Sequence, residues 1–353
     1  MAGEEKRPAA AEEGPVSDVT GSIQYVGARG AGETGAGAIA INLDTGACPD
    51  QFSAGRRMDG YNATDEEGPW SDGHGHGSYT LGIMAGDRRT QGVDKGGVAP
   101  GTDLYPVKVL NSKGEGTTGM VIEALDAVIA LAENNPGRPV VVNNSWGISR
   151  CSGLCGSPLT KAVSRVADVP NVYMVFAAGN MGMKCGQGCS DTGISGPNSL
   201  NNVLTVAATG RNGYPEKLHR YSSRGGEEAS CGSRKPDVAA PIYGTVPWGC
   251  GARDIGNLGG TSGACPHVAG AVALATAAAN GVPPASDVFD ALRETAEGKK
   301  WDGCRGHGVI DAGAAVDTVS TGGIKIAGMS PSTVAGAILA SVALTGLTRK
   351  YIA

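Results

Sequence analysis

The sequence LGGTSGACPHVAG, residues 258–270, places a serine in a glycine-rich turn that leads into a helix. An Ala-rich run continues this segment to Asn280. Proline near a helix start loses no intrahelical hydrogen bond, so Pro266 is compatible with a helix that begins close to Ser262. The free N–H groups of such a helix end would stabilise an oxyanion formed when the Ser262 hydroxyl attacks a carbonyl. A plain helix-capping role for Ser262 is the alternative.

The composition is that of a large globular protein. The chain has 353 residues with 58 glycines, 5% aromatic residues and a formal net charge of -5. This length is enough to bury a sizeable core in one large domain or two small ones. The glycines show no period of three, so they indicate tight turns and close packing rather than a collagen-like chain. The negative charge and the lack of a basic run argue against nucleic acid as a partner.

Short apolar runs bounded by glycine or polar residues predict buried parallel strands. Helix-compatible stretches at residues 120–133 and 159–166 lie between these runs. The alternation predicts an α/β fold with a doubly wound, mostly parallel sheet and helices on both faces. Sites in such sheets form beyond the carboxyl ends of the strands, which makes Asp44 and Asn180 candidates. The predicted strands are residues 38–43, 103–110, 139–143, 171–176 and 203–207.

Two of the five histidines lie in the glycine-rich turn DGHGHG, residues 72–77, which opens a helix-compatible run. This setting favours a chemical role for His76 over an ordinary surface or core position. A zinc site at His74 and His76 is a weaker alternative, since we find no third ligand at a suitable spacing. Asn180 follows an apolar strand, where its side chain would either cap a turn or donate an N–H to an oxyanion.

Together, four stretches resemble the motifs of the subtilisin-like serine proteases, the subtilases. The order Asp, His, Ser along the chain is also that of subtilisin. Connecting segments match as well, so the likeness spans residues 35–319. The four stretches are residues 44–46 (DTG), 72–77 (DGHGHG), 177–180 (AAGN) and 260–262 (GTS) with 266–270 (PHVAG).

The resemblance implies a serine endopeptidase that acts on protein or peptide substrates. Ser262 is then the nucleophile, and His76 is the general base that later protonates the leaving amine. Asp44 would orient His76, while Asn180 and the Ser262 amide would hold the oxyanion. The chemistry requires no cofactor; structural calcium is common in the family, but we assign no ligands to it. A catalytically weak or inactive subtilase-fold protein that binds peptides is the alternative function.

By the same resemblance, the substrate is expected to bind as an added strand between two chain segments. Met181, directly after Asn180, predicts an apolar primary pocket. The expected substrate-binding residues are Gly114, Glu115, Gly116, Ser145, Trp146, Gly147 and Met181.

The chain departs from the family pattern beside the catalytic motifs. Ser78 and Tyr79 stand where a threonine and a second histidine are usual. Gly263 and Cys265 stand where a methionine and a threonine are common. None of these differences removes a catalytic group.

Eight cysteines lie outside the serine motif and predict up to four disulfides, whose pairing the sequence leaves open. A four-thiolate zinc site at Cys151, Cys155, Cys185 and Cys189 is the alternative for half of them. Disulfides favour an extracellular or membrane-associated protein, although no signal peptide is visible at the N-terminus. The eight are Cys48, Cys151, Cys155, Cys185, Cys189, Cys231, Cys250 and Cys304.

We expect three segments: a disordered polar lead (1–20), a subtilisin-like peptidase domain (21–319) and an apolar tail (320–353). Within the tail, residues 326–347 (Ile326 to Leu347) carry no charge, while Lys325 precedes them and Arg349 follows. This length is enough for a membrane helix, but Pro331 and several polar residues weaken it. A membrane anchor and an apolar segment packed on the domain or on a partner are the two alternatives. We expect the protein to be a monomer.

Overall fold

The structure is a computed structural model, and it describes twelve stretches of the chain between residues 19 and 322. The charge-free segment at residues 326–347, for which a membrane anchor and a packed apolar tail are the alternatives, lies outside the described residues, as does most of the polar lead. Among the described residues, no helix has the length and apolar character that a membrane crossing needs. The described ranges are 19–87, 96–148, 150–186, 188–189, 193–210, 217–229, 231–242, 246–247, 250, 255–256, 260–298 and 300–322.

A seven-stranded sheet lies at the centre of the domain. Its strands are β1 (Ile39–Asp44), β2 (Tyr61–Asn62), β3 (Asp103–Lys108), β4 (Val140–Asn144), β5 (Val172–Ala177), β6 (Leu204–Thr209) and β7 (Val238–Pro241). The spatial order is β2-β3-β1-β4-β5-β6-β7, and every neighbouring pair is parallel. A separate antiparallel pair is formed by β8 (Val246–Pro247) and β9 (Ile255–Gly256). Each of the five predicted strands is present, whereas β2 and β7 were not predicted.

Helices cover both faces of the sheet, as predicted. They are α1 (Val19–Tyr25), α2 (His76–Ala85), α3 (Thr118–Asn134), α4 (Pro158–Ala167), α5 (Thr261–Ala277), α6 (Ala285–Thr295) and α7 (Ala312–Ser320). Helices α3 and α4 pack on one face, and α2, α5, α6 and α7 pack on the other. Alternate residues of β1 illustrate this, because Ile39 and Ile41 belong to the first core and Ala40 to the second. The doubly wound α/β fold is therefore confirmed.

The strand order puts a crevice at the carboxyl ends of β1 and β4. From β1 the chain first builds β2 and β3 on one side and then continues with β4 on the other side. Such a change of direction leaves a gap between the loops that follow the two strands. Asp44 is the last residue of β1, and Ser145 directly follows β4.

Four disulfides join the described loops: Cys48–Cys250, Cys151–Cys185, Cys155–Cys231 and Cys189–Cys304. The prediction of disulfides is confirmed, and Cys265 is a buried free thiol. The zinc alternative is wrong, because the four cysteines in question are oxidised and have partners in three different bonds. The one cluster of possible metal ligands among the described residues is Cys189, Asp302 and Cys304, and its two sulfurs are bonded to each other.

Helices α2 and α5 approach closely because small residues line their contact. A Cβ atom added to Gly270 of α5 would lie 2.5 Å from Val98 Cβ and 2.9 Å from the Met84 carbonyl oxygen. Since α2 begins at His76 and α5 carries Ser262 in its first turn, this contact sets the spacing of the two helix ends.

We predict opposite effects for two glycine-to-alanine substitutions. Gly270→Ala should lower the free energy of unfolding by about 1–3 kcal/mol, because the new methyl overpacks the helix contact. Gly119→Ala in α3 should raise it by up to about 1 kcal/mol, since this exposed glycine has no atom closer than 3.7 Å to an added Cβ. Denaturant unfolding of both variants checks this, and an unchanged stability of Gly270→Ala would contradict the packing.

Candidate active site

Asp44 and His76 form a close, largely buried pair. His76 Nδ1 lies 2.7 Å from Asp44 Oδ1 and 2.8 Å from Oδ2. The Asp44 side chain is fully buried, and that of His76 is 14% exposed. A carboxylate only accepts hydrogen bonds, so Nδ1 carries the proton and Nε2 keeps its lone pair for another proton.

The Asp44 carboxylate is fixed by further donors. Its Oδ1 accepts the N–H of Thr45 at 2.8 Å, and its Oδ2 accepts the Thr80 hydroxyl at 3.1 Å. Thr80 lies one turn along α2 from His76, so one carboxylate holds both residues. The pair cannot rotate without breaking several buried hydrogen bonds, which are costly to lose.

A second buried carboxylate, Asp72, organises the start of α2. Its Oδ1 accepts the N–H of Gly75 at 2.7 Å and the Thr45 hydroxyl at 2.8 Å. Its Oδ2 accepts both the N–H and the hydroxyl of Ser78, at 2.8 and 2.6 Å. A negative charge at a helix N-terminus satisfies amides that lack an intrahelical acceptor. Asp72 thus links the loop after β1 to the helix that presents His76.

The surroundings of His76 act on its pKa in opposite directions. Burial is the largest effect and lowers the pKa, because it disfavours the charged imidazolium. The charge and hydrogen bond of Asp44, with the charge of Asp72, raise the pKa by more than burial lowers it. The pKa of His76 therefore lies above the ordinary value of 6.5. The site is built to accept a proton on His76.

Ser262 is the second residue of α5 and is half-buried beside Ser145. Its hydroxyl donates to the Ser145 carbonyl at 3.0 Å, and the Ser145 hydroxyl donates to the Ser262 carbonyl at 3.1 Å. In this structure the Ser262 hydroxyl is therefore directed at Ser145. Ser262 and His76 are both described, and no hydrogen bond joins them. A rotation about the Ser262 side chain is needed to bring its hydroxyl to His76.

The Asn180 amide is held by its oxygen. Asn180 Oδ1 accepts the N–H of Thr261 at 3.0 Å and the Thr261 hydroxyl at 3.1 Å. These two donors assign the oxygen and leave the Nδ2 group of this exposed residue free to donate. Gly260 makes room for this arrangement: a Cβ there would lie 2.7 Å from Asn180 Oδ1, and its φ of 105° also favours glycine.

The predicted substrate-binding residues lie in the three loops that follow β3, β4 and β5. Gly114 and Glu115 belong to a turn closed by Asn111, whose N–H donates to the Glu115 carbonyl at 2.8 Å. A Cβ on Gly114 would lie 3.0 Å from His74 Nε2, and the rings of His74 and His76 are 6.1 Å apart. Gly116 continues the same loop and has no strand partner.

On the other side, residues 145–147 also have no strand partner and run past Ser262. The Trp146 ring packs edge-on against Phe176, with 5.5 Å between centroids. Gly147 lies beside Asn198, whose Nδ2 would be 3.7 Å from an added Cβ. Met181 follows Asn180 and is anchored by its N–H, which donates to Ser223 Oγ at 3.1 Å. The loop after β4 thus contacts Ser262 through Ser145, and the loop after β3 lies beside His74, two residues from His76.

A model of the subtilase family matches residues 33–308 of this chain. The chain belongs to the subtilase family. It is 32% identical over 243 residues to the extracellular serine proteinase of Thermus sp. (strain Rt41A), across 68% of this chain and 51% of that protein. It is 34% identical over 242 residues to the thermostable alkaline protease of Halalkalibacterium halodurans, across 68% of this chain and 57% of that protein. The chain therefore spans little more than half the length of these two relatives.

Shorter relatives and a solved structure extend this similarity. Subtilisin BL of Lederbergia lenta is 32% identical over 257 residues, across 71% of this chain and 81% of that protein. The crystal structure of a cold adapted subtilisin-like serine proteinase superimposes with a TM-score of 0.60 at 27% identity. That alignment covers 80% of this chain and 89% of the other. The subtilisin-like fold predicted from the motifs is confirmed.

Several residues that shape this subtilase site had no assigned role in the sequence analysis. Thr80 binds the Asp44 carboxylate, Thr261 binds the Asn180 amide, and Asp72 binds the chain at the start of α2, through the hydrogen bonds given above. The Asp72 signal was available, since an Asp in a turn often accepts a backbone N–H from the residue two positions later, here His74. Thr80 and Thr261 carried no such local signal, because their partners are distant in sequence.

We predict that the pKa of His76 depends on Asp44. In an NMR titration its midpoint should lie above 6.5, and Asp44→Asn should lower it, because burial is then opposed only by the charge of Asp72, the smallest of the raising effects. His267 and His307 are internal controls, since burial lowers both pKa values, that of His267 to about 4. Both should be unaffected by Asp44→Asn, and an unmoved His76 midpoint would contradict the electrostatic role of Asp44.

Proposed function

We propose that this subtilase is a serine endopeptidase in which Asp44, His76 and Ser262 form the catalytic triad. The observation that carries the proposal is the buried Asp44–His76 pair, which leaves His76 Nε2 ready to accept a proton at the edge where α5 presents Ser262. The raised pKa of His76 supports it, because a general base should titrate near the working pH.

The proposed reaction begins when the Ser262 hydroxyl turns from the Ser145 carbonyl to His76 Nε2. Ser262 Oγ then bonds to the scissile carbonyl carbon while His76 takes its proton, and Asp44 stabilises the imidazolium. The oxyanion is held by the Ser262 N–H and by Asn180 Nδ2. The C–N bond breaks as His76 returns the proton to the leaving amine. Water then attacks the Ser262 ester while His76 takes a proton from that water, and His76 returns this proton to Ser262 Oγ as the acid leaves.

The substrate is proposed to lie between residues 114–116 and residues 145–147, with a primary pocket that prefers apolar side chains. The only two exposed large hydrophobic residues among those described are Ile148 and Met183. They follow Trp146 and Met181, and the Cys151–Cys185 disulfide joins the two loops. An apolar rim of this kind favours an uncharged residue on the N-terminal side of the cleaved bond.

The four disulfides support a proposed location in an oxidising compartment, such as the cell exterior. The Thermus relative is itself described as extracellular. Structural calcium and the monomeric state stay predictions, since no observation bears on them.

A non-enzymatic peptide-binding protein is the second candidate function. The observation in its favour is the Ser262 hydroxyl, which donates to Ser145 and not to His76. The two functions differ in one property: only an enzyme has a Ser262 that reacts with electrophiles in the folded protein.

We predict that a fluorophosphonate probe labels the wild type and that Ser262→Ala abolishes the labelling. His76→Ala should slow it strongly, because the hydroxyl then lacks a base. Asn180→Ala should lower kcat for peptide hydrolysis about 10²–10³-fold with a smaller effect on KM, a magnitude established for the equivalent loss in subtilisin. Folded wild-type protein that stays unlabelled would reject the enzyme and favour the binding protein.

We predict a preference for apolar residues in the primary pocket. Peptides with Phe or Leu before the cleaved bond should have kcat/KM values at least about tenfold above those with Glu or Lys, since burying an unpaired charge is costly. Met181→Glu should reduce this preference, whereas Lys161→Gln on the exposed side of α4 should not. Equal cleavage of all four peptides would contradict the apolar pocket.

A further inference from the structure

The carbonyl of Ser262 lacks its usual helical partner. In an α-helix this oxygen would accept the N–H of the residue four positions later, which here is Pro266 inside α5. Proline has no N–H, and its ring pushes away the carbonyl of the residue four positions before it. A buried carbonyl left in this state costs stability unless another donor reaches it.

Ser145 supplies that donor from the loop after β4. Its hydroxyl lies 3.1 Å from the Ser262 carbonyl oxygen, and the Ser145 residue is only 4% exposed. The donor is therefore a buried side chain. Asn143 Nδ2 donates to Ser145 Oγ at 3.0 Å, and the single Ser145 proton has the Ser262 carbonyl oxygen as its nearer acceptor, since Asn143 Oδ1 lies 3.4 Å from Ser145 Oγ.

Asn143 is itself fixed by the central strands. It is fully buried on β4, and its Nδ2 also donates to Asn42 Oδ1 on β1 at 2.7 Å. Asn42 in turn donates to the Gly77 carbonyl and to Thr80 Oγ1, both at 3.0 Å. The direction of the Ser145 hydroxyl is thereby set by the same sheet that holds the start of α2.

We propose that the Ser145 side chain is a positioning residue for Ser262, replacing the helical hydrogen bond that Pro266 removes. Through the Ser262 carbonyl it fixes the first turn of α5, and with it the direction of the Ser262 side chain and N–H. This role belongs to the Ser145 hydroxyl and is separate from substrate binding by the backbone at residues 145–147. It rests on the proposed function, in which Ser262 is the nucleophile.

A double-mutant cycle between Ser145 and Pro266 tests this. Ser145→Ala should lower the fluorophosphonate labelling rate constant and kcat about tenfold, because the Ser262 carbonyl loses its donor. KM should change by less than about twofold, since the backbone of residues 145–147 is intact. Pro266→Ala restores an N–H at the position that can bond the Ser262 carbonyl, so adding Ser145→Ala to it should then cost less than about threefold.

Thr276→Val is the matched control. Thr276 is a buried residue near the other end of α5, and its hydroxyl donates to the Ala273 carbonyl at 3.0 Å. Its loss removes a comparable buried hydrogen bond from the same helix. The melting temperature should fall while the labelling rate constant of the folded protein stays at the wild-type value.

The outcomes separate the two proposals. Two results overturn the positioning role without contradicting the peptidase. In the first, the wild type is labelled and Ser145→Ala is labelled at the same rate. In the second, Ser145→Ala lowers the labelling rate constant equally in the wild-type and Pro266→Ala backgrounds. Absence of wild-type labelling overturns the peptidase itself. If Ser145→Ala does not fold, Ser145→Cys takes its place, because the thiol keeps most of the volume and is a weak donor. A loss that Pro266→Ala suppresses is again the expected result.

Discussion

The hydrogen bond between Asn143 and Asn42 joins the two central strands directly beneath the site. Polar side chains this deeply buried are retained only when each of their groups is satisfied. Asn42 meets this condition through the backbone and side chains at the start of α2, and the Nδ2 group of Asn143 meets it through Asn42 Oδ1 and Ser145 Oγ. The hydrogen bond therefore connects the helix end that carries His76 with the one that carries Ser262. The low polarity around the network makes every member costly to remove.

The rest of the architecture keeps this network in place. Because the strands are parallel, the carboxyl ends of β1, β4 and β5 lie at one edge of the sheet. Asp44, Ser145 and Asn180 lie at or just after these three strand ends. Small residues along α5 let it lie close to α2, and this contact sets the spacing between the helix ends that carry Ser262 and His76. Gly260 adds a local condition, since only a residue without a side chain leaves Asn180 room to bind Thr261.

Much of this could be predicted from the sequence because the signals are local. Apolar runs located the five longest strands of the central sheet, and the motifs around Asp44, His76, Asn180 and Ser262 identified the candidate catalytic groups. Strand β2 was not predicted, because its two half-buried residues are too few to show a periodic pattern of apolar residues. The disulfide pairing escaped it because the partners lie 34 to 202 residues apart. The exchange of hydrogen bonds between Ser145 and Ser262 likewise depends on the close approach of two distant segments, although Pro266 marks the carbonyl that needs a donor.

The Cys48–Cys250 disulfide has a further consequence for a protein that is proposed to cut peptide bonds. It joins the loop just after Asp44 to the segment that precedes α5, across 202 residues of sequence. A single self-inflicted cut anywhere between these cysteines leaves two pieces that stay covalently attached. Asp44, His76 and Ser262 then remain in one molecule, whichever piece contains His76. Self-digestion would thus produce nicked molecules whose pieces separate only after reduction. Cleavage of the backbone would therefore not by itself separate the three candidate catalytic residues.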